Sequence, residues 1–529
     1  MAHWNLTSEL EEMRQEVEEA ARKCGLDFFP TDFRILDFDT LMAVTANNGF
    51  PTRYNHWHFG MQYEIFEKQM GHGFARIYEL VINNNPAVAY LLQYNTASIQ
   101  KMVMAHVYGH VDFFKNNHHF HDTDKNMIST MESHKAIVQK HIDRFGKDKV
   151  EEFIDYCLSI EDLIDFTPYI KDPKDDEDDK HECNCGSSGH ESGGCGGGCG
   201  GCGGGCHGDD EGESKGSCSC NREEKELSDE YFPFPHYMKG FIKTENIYPE
   251  LRKKKKNDKE KRPERDVLQF IIENNDLLKG WQRDILSIIR DEAYYLLPQM
   301  KTKVMNEGWA TFWHQYMMVE MGLAGIEGVV HYTQAMEGIL GGEKLNHYMI
   351  GYEIFRSIRK RWDEGRHGLD YENERDALKR MKWNTQEGRG LEKIFEVRAT
   401  LSDVDFIRQY FTDELIQELF IYSAKYDKRS NVFRIASRDP GLIRNNLINS
   451  IFHAGQPVIE VLDGNFRNAK QLLLNHEFHG QELDARKRNL TLSRLFKIWK
   501  RPVCLRTIVE EAPVQVTFDG SKIVTERMQ

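Results

Sequence analysis

ASIQKMVMAHVYGHVDFFKNN, residues 97–117, is the stretch on which the reading of this chain turns. Ile99, Met102, Val103, His106, His110, Phe113 and Phe114 recur at helical spacing. The segment therefore predicts a helix whose apolar stripe carries two imidazoles one turn apart. Ring nitrogens at that spacing converge on one metal ion, although two hydrogen-bonded core histidines produce the same pattern. A third group has to discriminate. TKVMNEGWATFWHQYMM, residues 302–318, offers one, because Val304, Glu307, Ala310, Thr311, His314 and Met318 line one helical face. Glutamate is seldom buried alone, so Glu307 in mid-stripe asks for a cation, a metal or a donor network. With His106 and His110 it would complete a His, His, Glu set suited to Zn²⁺, leaving one position open for water or substrate.

NEGWATF resembles the NEGFA-type segment that provides the third zinc ligand in gluzincin metallopeptidases, with His106 and His110 in the places of the two histidines of their HExxH helix. The chain departs from that pattern at two points. Val107 stands where the general-base glutamate would be, and Glu307 lies much farther along the sequence than in those enzymes. A valine takes no proton from water, so hydrolysis needs a base from elsewhere. Glu79 in IYELVI is the first choice and His314, two turns beyond Glu307, the second; both are expected to be catalytic. Glu353 in MIGYEIF, and His56 and His58 in YNHWHFG, are candidate substrate-binding residues. An ion pair or a loop-holding role fits each of these groups as well.

Outward from these helices, the N-terminus predicts an amphipathic helix through Leu10, Met13, Val17, Ala21 and Cys24, with Ser8 and Glu11 as a capping box and Gly25 as the stop. Helical patterns run from Met61 to Asp165, broken at Asn83 to Pro86, and again from Asp266 to Arg380, with Gly280, Pro298 and Gly322 as breakpoints. After Glu396 come short β-rich runs: VFRIAS, PVIEVL, QLLLNHEF, VCLRTIV and APVQVTF. The expected class is α+β, a predominantly helical main domain with gluzincin-like metal-site helices and a smaller C-terminal α+β domain. Residues 1–170 and 226–390 form the two halves of the main domain, 171–225 an acidic and Cys/Gly-rich low-complexity insertion, and 391–529 the C-terminal domain.

That insertion holds eight of the eleven cysteines, between Cys183 and Cys220, in spacings capable of binding zinc or copper(I) but poorly preorganised by the intervening glycines. The other three, Cys24, Cys157 and Cys504, read as isolated thiols in a reducing compartment. HEFHG at 476–480 imitates a metal motif, yet in a strand His476 and His479 point to opposite faces, so it reads as structural. A formal charge of −15 over 529 residues argues against general nucleic-acid binding. The basic run at 252–262 is interleaved with Asp258 and Glu260 and reads as a solvated face. No stretch reaches the roughly 18–20 apolar residues of a membrane span. The expected location is cytoplasmic.

NHWHFG, IYELVINNNPAVAYLLQYN, MAHVYGHVDFFKNN, TKVMNEGWATFWH, NHYMIGYEIFRSIRKRWD, DFIRQYFTDELI and LFKIWKRPVCLRTI occur in this order. Together they resemble the stage V sporulation protein R (SpoVR) family. The resemblance implies a cytoplasmic protein linked to sporulation through the spore cortex, or to stress response, and acting with a PrkA-type serine kinase and a von Willebrand factor A-like protein. It implies no reaction. A metal-dependent amide or peptide hydrolase and a noncatalytic component of that kinase assembly both remain open.

Overall fold

The computed structural model describes residues 5–71, 79–166, 264–325, 346–427 and 432–528; the Cys/Gly tract and the basic run lie outside the described residues. The first elements are α1 (Ser8–Lys23), β1 (Thr31–Leu36), α2 (Phe38–Ala46), α3 (Trp57–Gly71), β2 (Glu79–Ile82), β3 (Ala87–Leu92), α4 (Ala97–Asn116), α5 (Met127–Phe145) and α6 (Lys147–Leu158). There follow α7 (Val267–Asn274), α8 (Gly280–Lys301), α9 (Lys303–Gln315), α10 (His347–Asp363), α11 (Gly368–Asn373), α12 (Ala377–Met381), α13 (Gly390–Thr400), α14 (Asp403–Tyr410) and α15 (Asp413–Glu418). The C-terminal elements are β4 (Ser423–Asp427), β5 (Val432–Ser437), α16 (Pro440–Ile451), β6 (Val458–Phe466), β7 (Gln471–Glu477), α17 (Ala485–Trp499), β8 (Val503–Val509), β9 (Ala512–Phe518) and β10 (Ile523–Arg527). The fold is mixed α+β, mainly helical, with a C-terminal sheet.

All five C-terminal runs singled out in the sequence are strands. Four of them enter one sheet of order β10-β9-β8-β7-β6, antiparallel except for the β7–β8 pair, while VFRIAS pairs with β4 in a separate hairpin. The helices from Gly390 to Ile451 precede this sheet, and α13 and α14 pack on the α4–α9–α10 layer.

Three local expectations are corrected. Helix α1 begins at Ser8 but is capped by Thr7, whose hydroxyl accepts from Leu10 N at 3.3 Å, in place of a Ser8 cap; Gly25 ends it at φ +84°. The span from Met61 to Asp165 is not purely helical, since β2 and β3 join β1 in a sheet of order β1-β3-β2. Its centre, β3, has Ala87, Val88, Ala89, Tyr90 and Leu91 all buried. A short run buried on both faces has no alternation to betray it as a strand. Pro298 does not end α8, which runs on to Lys301; the break falls at Thr302, whose hydroxyl donates to Pro298 O at 2.7 Å.

One hydrophobic core contains α4, α9, α10, α13, α14 and the inner face of α1, and a second lies between α6, α7, α8, α17 and the C-terminal sheet. In the first, glycines bring the helices unusually close. A Cβ on Gly109 of α4 would meet Ala310 Cα at 2.7 Å, and one on Gly308 of α9 would collide with the backbone of Gly351 in α10. Helix α9 is thereby pressed between two neighbours, which carries Glu307 up to the α4 histidines.

Candidate metal centre

The two histidines of α4 and Glu307 of α9 converge. Glu307 Oε2 lies 3.8 Å from His106 Nε2 and 3.6 Å from His110 Nε2. One ligand atom from each residue falls within 4.8 Å of the others. Atoms bound tetrahedrally at about 2.0–2.2 Å from one ion stand roughly 3.3–3.6 Å apart, so the two carboxylate–imidazole separations need to close by only a few tenths of an ångström, while the imidazole nitrogens, within 4.8 Å of each other, would draw together by up to about 1 Å. The Oε2 atom is buried and makes no hydrogen bond of ordinary length, the two imidazole nitrogens standing just beyond it, an arrangement that a cation between the three groups would relieve. The donor set and its spacing therefore fit a first-row divalent ion.

The outer nitrogens show why the inner ones face Glu307. His110 Nδ1 lies 2.9 Å from Asn306 Oδ1, and His106 Nδ1 lies 2.7 Å from His314 Nδ1. An amide oxygen can only accept, so His110 carries its proton on Nδ1 and presents a lone pair at Nε2. Between His106 Nδ1 and His314 Nδ1 a single proton is shared, one ring donating and the other accepting. Burial and the neighbouring His106 push His110 down to about 4, and the same causes carry His314 well below the ordinary histidine range. Both are neutral at pH 7, as ligation and its support require. Burial raises the Glu307 pKa, but His106, His110 and Lys303 together outweigh it and hold the carboxylate ionised.

Two buried acids that periodicity does not mark hold the helices in register. Asp403 at the start of α14 accepts from Val304 N and Met305 N, each at 2.8 Å, capping the ligand helix α9 from outside, and burial pushes it up to about 7. Asp112 of α4 accepts from Asp27 N and from Trp309 Nε1 of α9, each at 2.8 Å, and faces Arg398 of α13 at 3.3 Å. Burial raises Asp112 to about 6 against the pull of that guanidinium.

The other sequence candidates lie in different settings. His314 is on the outer side of His106. Glu79 opens β2, paired with Leu91 of β3, and β2 packs on α4; its side chain lies outside the described residues. Glu353 lies 3.2 Å from Arg356, and burial raises its pKa. His56 is buried in the second core's outskirts, its Nε2 3.4 Å from Asp155, with His58 beside it. Val107 is fully buried. His476 hydrogen-bonds Thr507 Oγ1 at 2.9 Å while His479 is half exposed, so HEFHG forms no joint ligand pair. Cys157 and Cys504 are buried free thiols and Cys24 is partly exposed. Among the described residues no helix is long and apolar enough to cross a membrane. Asn306 is the residue the sequence reading missed, although it immediately precedes Glu307 inside the same motif.

Comparison with known families bears on this arrangement. The family described as SpoVR like protein matches residues 4–456, which include His106, His110 and Glu307, and the SpoVR-like C-terminal domain matches residues 457–510. The chain belongs to the SpoVR family. The division between the two SpoVR matches falls just before β6, where the C-terminal sheet begins. A relative, the uncharacterized protein YcgB of Escherichia coli (strain K12), is 24% identical over 538 aligned positions, covering 95% of this chain and 92% of its own. No solved structure matches.

Proposed function

We propose that this SpoVR-family protein is a zinc-dependent hydrolase of amide or peptide bonds, cytoplasmic, and linked to spore-cortex formation or stress physiology. The observation that carries the reading is the convergence of two Nδ1-anchored imidazoles and an ionised, buried carboxylate on a common point. His106, His110 and Glu307 would hold the ion, which supplies Lewis acidity when bound. Asn306 and His314 keep the ligand imidazoles turned and in the right tautomer. His314 is thus better suited to positioning than to acting as a base. Glu79 is the proposed base, taking the proton of the attacking water and returning it to the leaving amine.

Buried Val107, at the place of the missing gluzincin base, favours a second reading. In it the site is structural and the protein is a noncatalytic component acting with a PrkA-type kinase and a von Willebrand factor A-like protein. Zinc-loaded wild type, Glu79→Gln and Glu307→Gln should be offered amide and peptidoglycan-derived substrates. Turnover abolished by both substitutions supports the hydrolase. No turnover by zinc-loaded wild type, together with measurable binding to the kinase, supports the assembly component.

A further inference from the structure

A cavity of about 320 Å³ opens between the segment from Asn48 to Phe59, α6 and α17, on the border of the second core and apart from the metal centre. That volume lies within the range of small-molecule sites. Its wall combines two guanidinium groups, Arg53 and Arg494, two carboxylates, Asp155 and Glu161, and the rings of Trp57 and Phe59.

The existing commitments of these charges define what is missing. Arg53 is buried and ion-paired with Glu292 of α8, with its guanidinium 4.6 Å from the Phe59 ring, yet its Nε meets no acceptor. Arg494 of α17 lies 5.3 Å from the Tyr156 ring; its Nε is also buried without an acceptor. Both guanidinium groups line the cavity, and two of them on one wall suit an oxyanion, for which guanidinium geometry is well matched. A simple anion is nevertheless the wrong guest. Glu292 already offsets Arg53, and Asp155 and Glu161 share the cavity wall. Asp155 Oδ1 is engaged by Trp57 Nε1 at 2.9 Å, whereas Glu161 sits at the rim with no side-chain hydrogen bond to a described residue, and desolvation by its surroundings raises its carboxyl to about 7 against the pull of Arg53. A bare anion would meet these carboxylates, and a bare cation would meet the two guanidinium groups.

We propose that this cavity binds a small zwitterion, a free amino acid or short peptide. Its carboxylate would lie on Arg53 and Arg494, its ammonium toward Glu161 and Asp155, and its side chain against Trp57 and Phe59. The placement gives His58, which also lines the cavity, a position beside the ligand and away from the metal centre.

The test uses calorimetric titration of the full-length protein with free amino acids and glycyl dipeptides. The strongest binder is then compared with its own analogues lacking either the amine or the carboxylate. Each analogue should bind at least about tenfold more weakly, the size of one lost charge-assisted contact. Arg494→Gln and Glu161→Gln should each lose a similar factor while keeping the wild-type zinc content and Tm. Should Arg494→Gln misfold, the exposed Glu161→Gln decides alone. The proposal is overturned if no zwitterion binds at millimolar concentration, if either analogue binds as tightly as its parent, or if Glu161→Gln binds like wild type.

Discussion

Replacing Gly109 by alanine tests whether close approach of α4 and α9 assembles the proposed zinc site. The new methyl carbon would sit 2.7 Å from Ala310 Cα and 3.2 Å from Ala310 Cβ. Carbon atoms pack at about 3.5–4.0 Å, so the two helices must part by about 1 Å. His106 and His110 ride on one helix and Glu307 on the other. Their separations of 3.8 and 3.6 Å would therefore grow by a similar amount, to roughly 4.5 Å or more, about 1 Å beyond the spacing of neighbouring ligands on one ion, so closing around zinc would cost far more rearrangement. Stability should suffer much less. Overpacking costs about 1–3 kcal/mol, while alanine returns about 1 kcal/mol of helix propensity. Gly60→Ala in α3 is the control, because a Cβ there meets nothing within 4 Å. Zinc affinity by competition with a chromophoric chelator, measured beside urea unfolding, separates the two effects. Gly109→Ala should fold and bind zinc at least tenfold to hundredfold more weakly, with Gly60→Ala unchanged. A folded Gly109→Ala protein with wild-type affinity would refute the reasoning.

Three further outcomes follow from the same geometry. Asn306→Ala and His314→Leu should each weaken zinc binding about tenfold to hundredfold, and His314→Gln, which retains an acceptor, should recover part of the loss in the same competition assay. His110 stays neutral in the folded state down to about 4, whereas the unfolded chain protonates it near 6.5. Its stabilising contribution is thus complete above pH 6.5 and declines as pH falls toward 4, by up to roughly 3 kcal/mol; the acid limb of metal-free protein should flatten in His110→Gln on urea titration from pH 7 to 4. Asp112→Ala leaves Arg398 buried without its carboxylate and should cost about 3–5 kcal/mol in the urea unfolding free energy; a loss below about 1 kcal/mol would show that the pair is dispensable.

The parts of this fold that announce themselves in sequence are those governed by period. His106 and His110 share a stripe, Glu307 interrupts another, and the C-terminal strands sit between clear turn residues. Residues acting at a distance leave no such trace. Asp403 caps α9 from a helix about a hundred positions later, and Asp112 ties α4 to Trp309 and Arg398 across two other elements. Neither disturbs a hydrophobic period enough to be recognised. The β1-β3-β2 sheet was hidden because β3 is apolar on both faces. Asn306 and Gly109 did stand in plain view inside the two motifs, but their tasks, holding a tautomer and permitting helix contact, depend on what packs opposite.

Metal analysis of the purified full-length protein, combined with X-ray absorption at the zinc edge, bears most directly on the central claim. One zinc per chain is expected, held by His106, His110 and Glu307, with two imidazole nitrogens and one carboxylate oxygen at about 2.0–2.2 Å. That spectrum should disappear in Glu307→Gln and in a His106→Ala, His110→Ala double variant. A protein that takes up no divalent metal, or whose zinc spectrum is unchanged in both variants, would contradict it.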